Sequence, residues 1–271
     1  MDLKVMTFNV HSGINSEDVP QRDYDGIAEV IKKLNPDIVG LQEVGRHGFA
    51  NFPAWETDFE PAEYLAKKLG YHFYFAPAVV FQNKYPYGNA LLTKYPIKSA
   101  KTVLIPDPKN KIDDGYFQTR SILVAELDNG ITVLVTHFGV VKEEKQNAVQ
   151  CVIELLKEIK TPVLLLGDLN MMPNDEILRP LFDVIKDVAN GKNEPATWPV
   201  DEDKFVGEYE ATIKNITEQK QARRKIDYIF HSKELDVKSE HVIQTKASDH
   251  KPYVVEFTIT NDIIKRLVSV S

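Results

Sequence analysis

The spacing of apolar and polar positions changes period along the chain, and each change marks an element. Lys4 to Phe8 alternates around Val5, Met6 and Phe8 and predicts a first strand. From Tyr24 to Leu34, Ile27, Val30, Ile31 and Leu34 fall at helical spacing, and Pro36 closes the helix. A short apolar strand, Asp37 to Leu41, delivers Gln42-Glu43 at its end. Pro61 to Leu69 predicts a helix with Gly70 just past its end, where a left-handed residue is usual. Tyr71 to Ala76 and Ala90 to Thr93 predict strands, and Arg120 to Leu127 and Ile131 to Thr136 flank Asp128-Asn129-Gly130, a hairpin turn signal. Lys142 to Ile159 is an amphipathic helix with Val149, Val152, Ile153 and Leu156 on one face; Pro162 ends it before the buried strand Val163–Leu166. Ile226 to Phe230 and Tyr253 to Ile259 predict the last strands.

Helices and strands alternate, yet the hairpin demands antiparallel pairs, so a purely parallel sheet is excluded and a mixed-sheet α/β sandwich is expected. Three stretches are too long for ordinary connections: 45–60, with Phe49, Phe52, Trp55 and Phe59, then 106–118 and 190–225. No flexible linker or repeat divides the chain, so residues 1–271 are expected to form one domain. A chain of this length buries roughly 70–75% of its unfolded surface and needs no metal or disulfide staples. With one cysteine, Cys151, an intrachain disulfide cannot form.

The beginning, Met1-Asp2-Leu3-Lys4, lacks a basic segment followed by an apolar stretch, and no apolar run approaches the ~18 residues of a membrane span. A cytoplasmic monomer without a membrane span is therefore expected. Lys and Arg number 33 against 40 Asp and Glu, a net charge of −7. Such a surface repels nucleic acid at long range, so a nucleic-acid role would need a local basic groove. The surplus of carboxylates leaves ligands for a hard cation.

Strand after strand ends in a residue able to hold a metal or move a proton. Asn9 follows Met6-Thr7-Phe8, Glu43 follows Leu41-Gln42, His137 follows Val135-Thr136, and Asp168 and Asn170 follow Leu166-Gly167. Asp227 lies inside Ile226-Asp227-Tyr228-Ile229-Phe230, and Ser248-Asp249-His250 precedes the final strand. Each has an ordinary reading alone: a cap for Asn9 or Asp249, a solvated carboxylate for Glu43, a core histidine for His137, an Asx-turn for Asp168-Leu169-Asn170. Asp227 is the exception, because burying a charge inside an apolar strand is costly unless it is paired. Together these residues point to one crevice where strand ends converge.

The order Thr7-Phe8-Asn9, Leu41-Gln42-Glu43, Thr136-His137, Gly167-Asp168-Leu169-Asn170, Ile226-Asp227-Tyr228-Ile229 and Ser248-Asp249-His250 resembles the endonuclease/exonuclease/phosphatase family, which is similar in fold to pancreatic deoxyribonuclease. The resemblance runs from Met6 to about Phe257. It implies a four-layer α/β sandwich, two packed mixed β-sheets flanked by helices, that hydrolyses phosphate esters with a divalent metal, Mg²⁺ or Mn²⁺. By the same resemblance Glu43 is the principal metal ligand, with Asn9 and Asp249 nearby. Asp168 and Asn170 orient and deprotonate the attacking water, or hold a second ion; one and two ions both stay open. His250 touches the phosphate and Asp227 accepts its other N–H, while His137 is a second donor. Arg120 binds or positions phosphate, and Asn89, in Tyr87-Gly88-Asn89-Ala90-Leu91, supports the site. Spaced two apart, Asp168 and Asn170 would face the same way in an extended strand.

For the substrate, Thr136-His137-Phe138-Gly139 resembles the deoxyribonuclease, sphingomyelinase and phosphatase-like branches rather than the abasic-site repair branch. The expected partner is a phosphate ester, with a small molecule, a phospholipid head group and a nucleic acid all left open. A metal-dependent nuclease and a non-catalytic binding protein are the alternatives. Lys220 to Lys225, with Arg223 and Arg224, is a candidate arm for an anionic substrate, and Trp55 and Trp198 are candidate stacking surfaces.

Overall fold

Both faces of the first strand are apolar, and this places it inside the molecule. β1 (Asp2–Asn9) turns Leu3 and Val5 to one side and Met6 and Phe8 to the other, all fully buried. In the computed structural model, which describes residues 2–47, 53–54, 60–109, 117–200 and 224–259, two mixed sheets pack face to face with helices outside. The first sheet holds β1, β2 (Ile38–Gly45), β3 (His72–Phe81), β4 (Tyr85–Thr93), β11 (Leu235–Val242) and β12 (Tyr253–Ile259), in the order β11-β12-β1-β2-β4-β3. The second holds β5 (Ile97–Leu104), β6 (Ser121–Leu127), β7 (Thr132–His137), β8 (Val163–Asp168), β9 (Lys186–Asp187) and β10 (Asp227–His231), in the order β5-β6-β7-β8-β10-β9.

Each sheet has one parallel pair, β1 with β2 and β7 with β8, joined through a helix: α1 (Tyr24–Leu34) and α3 (Lys142–Glu158). In each sheet the edge strand then comes first in sequence and its inner neighbour second, β3 before β4 and β9 before β10. The two sheets therefore share one plan, although no repeat is visible in the residues.

The predicted helices are present. Asp23 caps α1 by accepting from Gly26 N, and α2 (Pro61–Leu69) ends on Gly70 with φ 73°. The hairpin joins β6 to β7 with Gly130 at φ 75°. Val5, Ile38, Val135, Leu166 and Val255 fill the seam between the sheets, where Gly40 lets them approach: a Cβ there would meet Leu166 at 2.9 Å. Ile27, Ile31 and Leu65 pack α1 and α2 on Met6, Phe8 and Leu41 of the first sheet. Val149, Val152 and Leu181, from α3 and the short α4 (Arg179–Phe182), cover Leu134, Leu165 and Phe230 of the second. At about 25 cal/mol per Å², each fully buried aliphatic side chain contributes about 1.5–3 kcal/mol relative to exposure. Among the described residues no helix is long and apolar enough to cross a membrane.

The expected elements need correction: β3 and β4 run longer than the residues suggest, and β5, β9, β11 and α4 are additional. β5 and β11 are edge strands whose side chains are largely half-buried or exposed, so they carry Lys, Ser, Glu and Asp where an apolar pattern would have marked them. The aromatic residues Phe49, Phe52, Trp55 and Phe59, and Lys220 to Arg223, lie outside the described residues.

Candidate active site

Strand parity decides which side chains enter the seam. Residues facing the other sheet are Leu3 and Val5 on β1, Val133 and Val135 on β7, Leu164 and Leu166 on β8, Leu91 on β4 and Ile229 on β10. Continuing each alternation puts Asn9, His137, Asp168, Asn89 and Asp227 on the same inner face. Glu43 has the opposite parity on β2. A register shift between Leu41 and Val44 and a φ of 57° at Glu43 turn it back toward the seam, as bulges beside functional sites do. Gln42 stays inside and accepts from Thr7 Oγ1 at 3.2 Å.

Asp168 is the hub. Its Oδ2 accepts from Asn9 Nδ2 at 3.0 Å, and lies 3.6 Å from His137 Nε2 and 3.7 Å from His250 Nε2. Asn9 Nδ2 also donates to Glu43 Oε1 at 3.0 Å, so one amide clamps carboxylates from both sheets. The amide oxygen of Asn9 accepts from His11 N at 3.0 Å, with the nitrogen facing the carboxylates. His250 Nδ1 meets Asp227 Oδ2 at 2.9 Å, with both side chains buried.

Asn170 reaches the site by another route than strand alternation. It lies beyond the end of β8 with φ 50°, and its N–H donates to Asp168 Oδ1 at 2.9 Å. The Asx-turn is therefore real, and it turns the Asn170 amide inward, where Nδ2 donates to Phe138 O at 2.9 Å and lies 3.0 Å from His137 Nε2. His11, Ser12, Glu43 and Asn170 all hold positive φ, a concentration of unusual backbone at one site.

Charges are distributed unevenly. Burial and the neighbouring Asp227 push the Asp168 carboxyl up to about 7, against the opposing pull of His250 and of the bonds from Asn170 and Asn9. Burial works against protonation of His250, but Asp227, Asp249 and Asp168 outweigh it and hold its pKa well above the ordinary value. His137 goes the other way: burial, then the charges of Arg120 and His250, hold it well below. Arg120 Nη1 donates to His137 Nδ1 at 3.0 Å. A guanidinium only donates, so Nδ1 accepts there, and the ring is held between Arg120 on Nδ1 and the Asn170 amide beside Nε2. Burial alone would raise Asp249, but the charges of His11 and His250 and hydrogen bonds from Ser248 and Trp198 bring it below the usual carboxylate range.

These groups line one cavity of about 410 Å³. It includes Glu43, Arg120, His137, Asp168, Asn170, Asp249 and His250. Asn9, Asn89 and Asp227 lie behind its wall. Asn89 donates to Ser121 O at 2.9 Å and ties β4 to β6 across the seam. Residues not singled out from the sequence join the lining. His11 pairs with Asp249 at 3.6 Å, and the Tyr87 hydroxyl bonds both Glu43 and Arg120. The placement of His11 two after Asn9, and of Tyr87 two before Asn89, were the available signals. Trp198 and Arg224 form an isolated β-bridge, with the Arg224 guanidinium 5.3 Å from the indole ring and Trp198 beside His250. Behind them Lys225, fully buried, donates to Asp227 O at 3.2 Å and faces Asp187 at 3.6 Å.

A hard divalent cation suits this donor set. Glu43 and Asp168 offer oxygens held by one shared N–H donor, and Asp227 Oδ1 is buried without a hydrogen-bond partner. Ligand atoms of Asp168, Asp227 and His250 all lie within 4.8 Å of one another. His250 is the weakest ligand of the group, because Asp227 engages its Nδ1 and favours the protonated ring.

A sequence model of the Endonuclease/Exonuclease/phosphatase family matches residues 6–250. Among solved structures, an endonuclease/exonuclease/phosphatase from Beutenbergia cavernae is similar at 25% identity with a TM-score of 0.74, covering 95% of this chain and 72% of that one. The human Nocturnin catalytic domain with bound sulfate anion is 22% identical, TM-score 0.63, over 96% of this chain and 95% of that one. A mannosyl-6-phosphatase from Bacteroides thetaiotaomicron is 18% identical, TM-score 0.67, over 95% of this chain and 100% of that one.

Proposed function

Because the chain belongs to the endonuclease/exonuclease/phosphatase family, we propose that it hydrolyses phosphate esters with Mg²⁺ or Mn²⁺, by attack of water on phosphorus. The observation that carries this reading is the convergence of Asn9, His137 and His250 on Asp168 Oδ2, all within 3.7 Å. A carboxylate raised to about 7 is matched to accepting a proton from water near neutral pH. Asn170, fixed by its turn on Asp168, orients that water. His250, kept cationic by Asp227, donates from Nε2 to a non-bridging oxygen, and His137 is held beside it between Arg120 and Asn170. Arg120 adds charge at the phosphate.

When bound, a divalent cation supplies Lewis-acid stabilisation of the charge that develops on the phosphate oxygens. Glu43 would hold it, with Asn9 and Asp249 close by, which leaves Asp168 to the water. The net charge of −7 and a cavity of about 410 Å³ favour a small ester over a nucleic-acid duplex.

The test is turnover of p-nitrophenyl phosphate and bis-p-nitrophenyl phosphate with Mg²⁺ or Mn²⁺. Loss of turnover in EDTA and its return on adding metal are expected. No metal-dependent turnover on these esters, nor on nucleic-acid and phospholipid substrates, would return the chain to a binding role.

A further inference from the structure

Two arginines face the cavity, and the hydrolase reading uses one of them. Arg120 and Arg224 both line the cavity, and neither has a carboxylate partner among the described residues. Arg120 is already used: it bonds His137 Nδ1 beside the Asp168 centre. Arg224 is not. Its backbone is fixed by the two bridge bonds with Trp198, Arg224 N to Trp198 O at 2.8 Å and Trp198 N to Arg224 O at 3.0 Å. Its guanidinium lies over the indole, which in turn donates to Asp249. A side chain held this way loses little freedom when it binds, and its planar fork matches a phosphate or carboxylate.

Val140, Ile226 and Trp198 supply an apolar wall in the same cavity.

We propose that Arg224, seated on Trp198, binds a second anionic group of the substrate, so that the ester hydrolysed is a small molecule carrying two phosphates, or a phosphate and a carboxylate. This deepens the hydrolase reading and rests on it for the position of the scissile group. The small molecule is preferred to a strand of nucleic acid on the same grounds of cavity size and net charge.

The experiment is competition against p-nitrophenyl phosphate turnover at saturating Mg²⁺. The competitor pairs are fructose 6-phosphate with fructose 1,6-bisphosphate, and adenosine 5′-monophosphate with adenosine 3′,5′-bisphosphate. The bisphosphate of at least one pair should compete at least about tenfold more tightly than its monophosphate, the scale of one charge-assisted pair. Arg224→Gln should shrink that ratio to about threefold or less, and Arg224→Lys should keep more of it than Arg224→Gln. The readout is the ratio within each variant, so a general loss of folded protein cancels.

Equal competition by mono- and bisphosphates in both pairs, or a ratio untouched by Arg224→Gln, would overturn the proposal. A single-stranded hexanucleotide that outcompetes every bisphosphate would overturn its small-molecule part. Calorimetric titration of the same pairs reads the anion site without turnover. Failure of the hydrolase reading and failure of this one therefore give different results.

Discussion

His250 and Asp227 form a buried ion pair, Nδ1 to Oδ2 at 2.9 Å, whose free ring edge, Nε2, points at Asp168. The two residues lie 23 positions apart, Asp227 on a strand of the second sheet and His250 just before a strand of the first, so the pairing depends on the sheets being packed.

Removing the charge of Asp227 should therefore act through His250. Asp227→Asn keeps the size of the side chain and is expected to lower kcat at least ~10²-fold, the usual scale for losing an electrostatic stabiliser. The alkaline limb of the pH–rate profile should move to lower pH, since His250 loses a main source of its raised pKa. A profile of unchanged shape would contradict this role.

Glu43→Gln should weaken cation binding and cut turnover by at least ~10²-fold while the fold survives. Calorimetric titration with Mn²⁺ separates the two effects. Because the change removes one of several crowded carboxylates, thermal unfolding of the metal-free protein should be unchanged or higher. Wild-type affinity in this variant would take Glu43 out of the cation site.

His47 predicts how stability depends on pH. It is 5% exposed, stacks on Phe81 with ring centroids 4.3 Å apart, and is held to about 4 by burial first and by the charges of Arg22 and His11. The folded state thus prefers the neutral ring, and protons bind more readily to the unfolded chain. The stability this gives is fully present above the unfolded value of about 6.5 and is lost as pH falls toward 4. Urea unfolding of wild type against His47→Phe should show wild type losing on the order of 2 kcal/mol relative to the variant across that window. Parallel stability curves for the two would refute it.

Lys225 and Asp187 form the other buried charge pair, with Lys225 Nζ 3.9 Å from the Tyr228 ring and 4.9 Å from that of Tyr253. Asp187→Asn leaves the ammonium without its partner and should cost about 3 kcal/mol, measured by urea unfolding at pH 7. A loss below about 1 kcal/mol would mean that Asp227 and the rings alone sustain the cation.

The elements with one wet and one buried face were legible in the residues. α1 and α2 were read to the residue from periodicity and from Gly70, because packing and local preference agree there. β5 and β11 were not, because an edge strand buries too little to show an alternation. At the site, chemistry was visible as polar residues ending apolar strands, and the parity of β1, β7, β8 and β10 brings Asn9, His137, Asp168 and Asp227 to one face. What could not be read was geometry set by irregular backbone: the bulge that turns Glu43 and the left-handed turn at Asn170. Arg224 was read only as one member of a basic run; its place over Trp198 comes from a two-residue bridge between distant segments.

The shared plan of the two sheets has a mechanical consequence. Asn9 and Glu43 hang from one leaf, His137, Asp168 and Asp227 from the other, and the single amide contact from Asn9 to Asp168 spans 159 residues of chain. Sliding one leaf over the other by a few ångströms would leave every strand intact and yet part the carboxylates that share that amide. Catalytic output should therefore fade on heating or in mild denaturant before circular dichroism registers any loss of strand, making the rate a gauge of how tightly the leaves are closed.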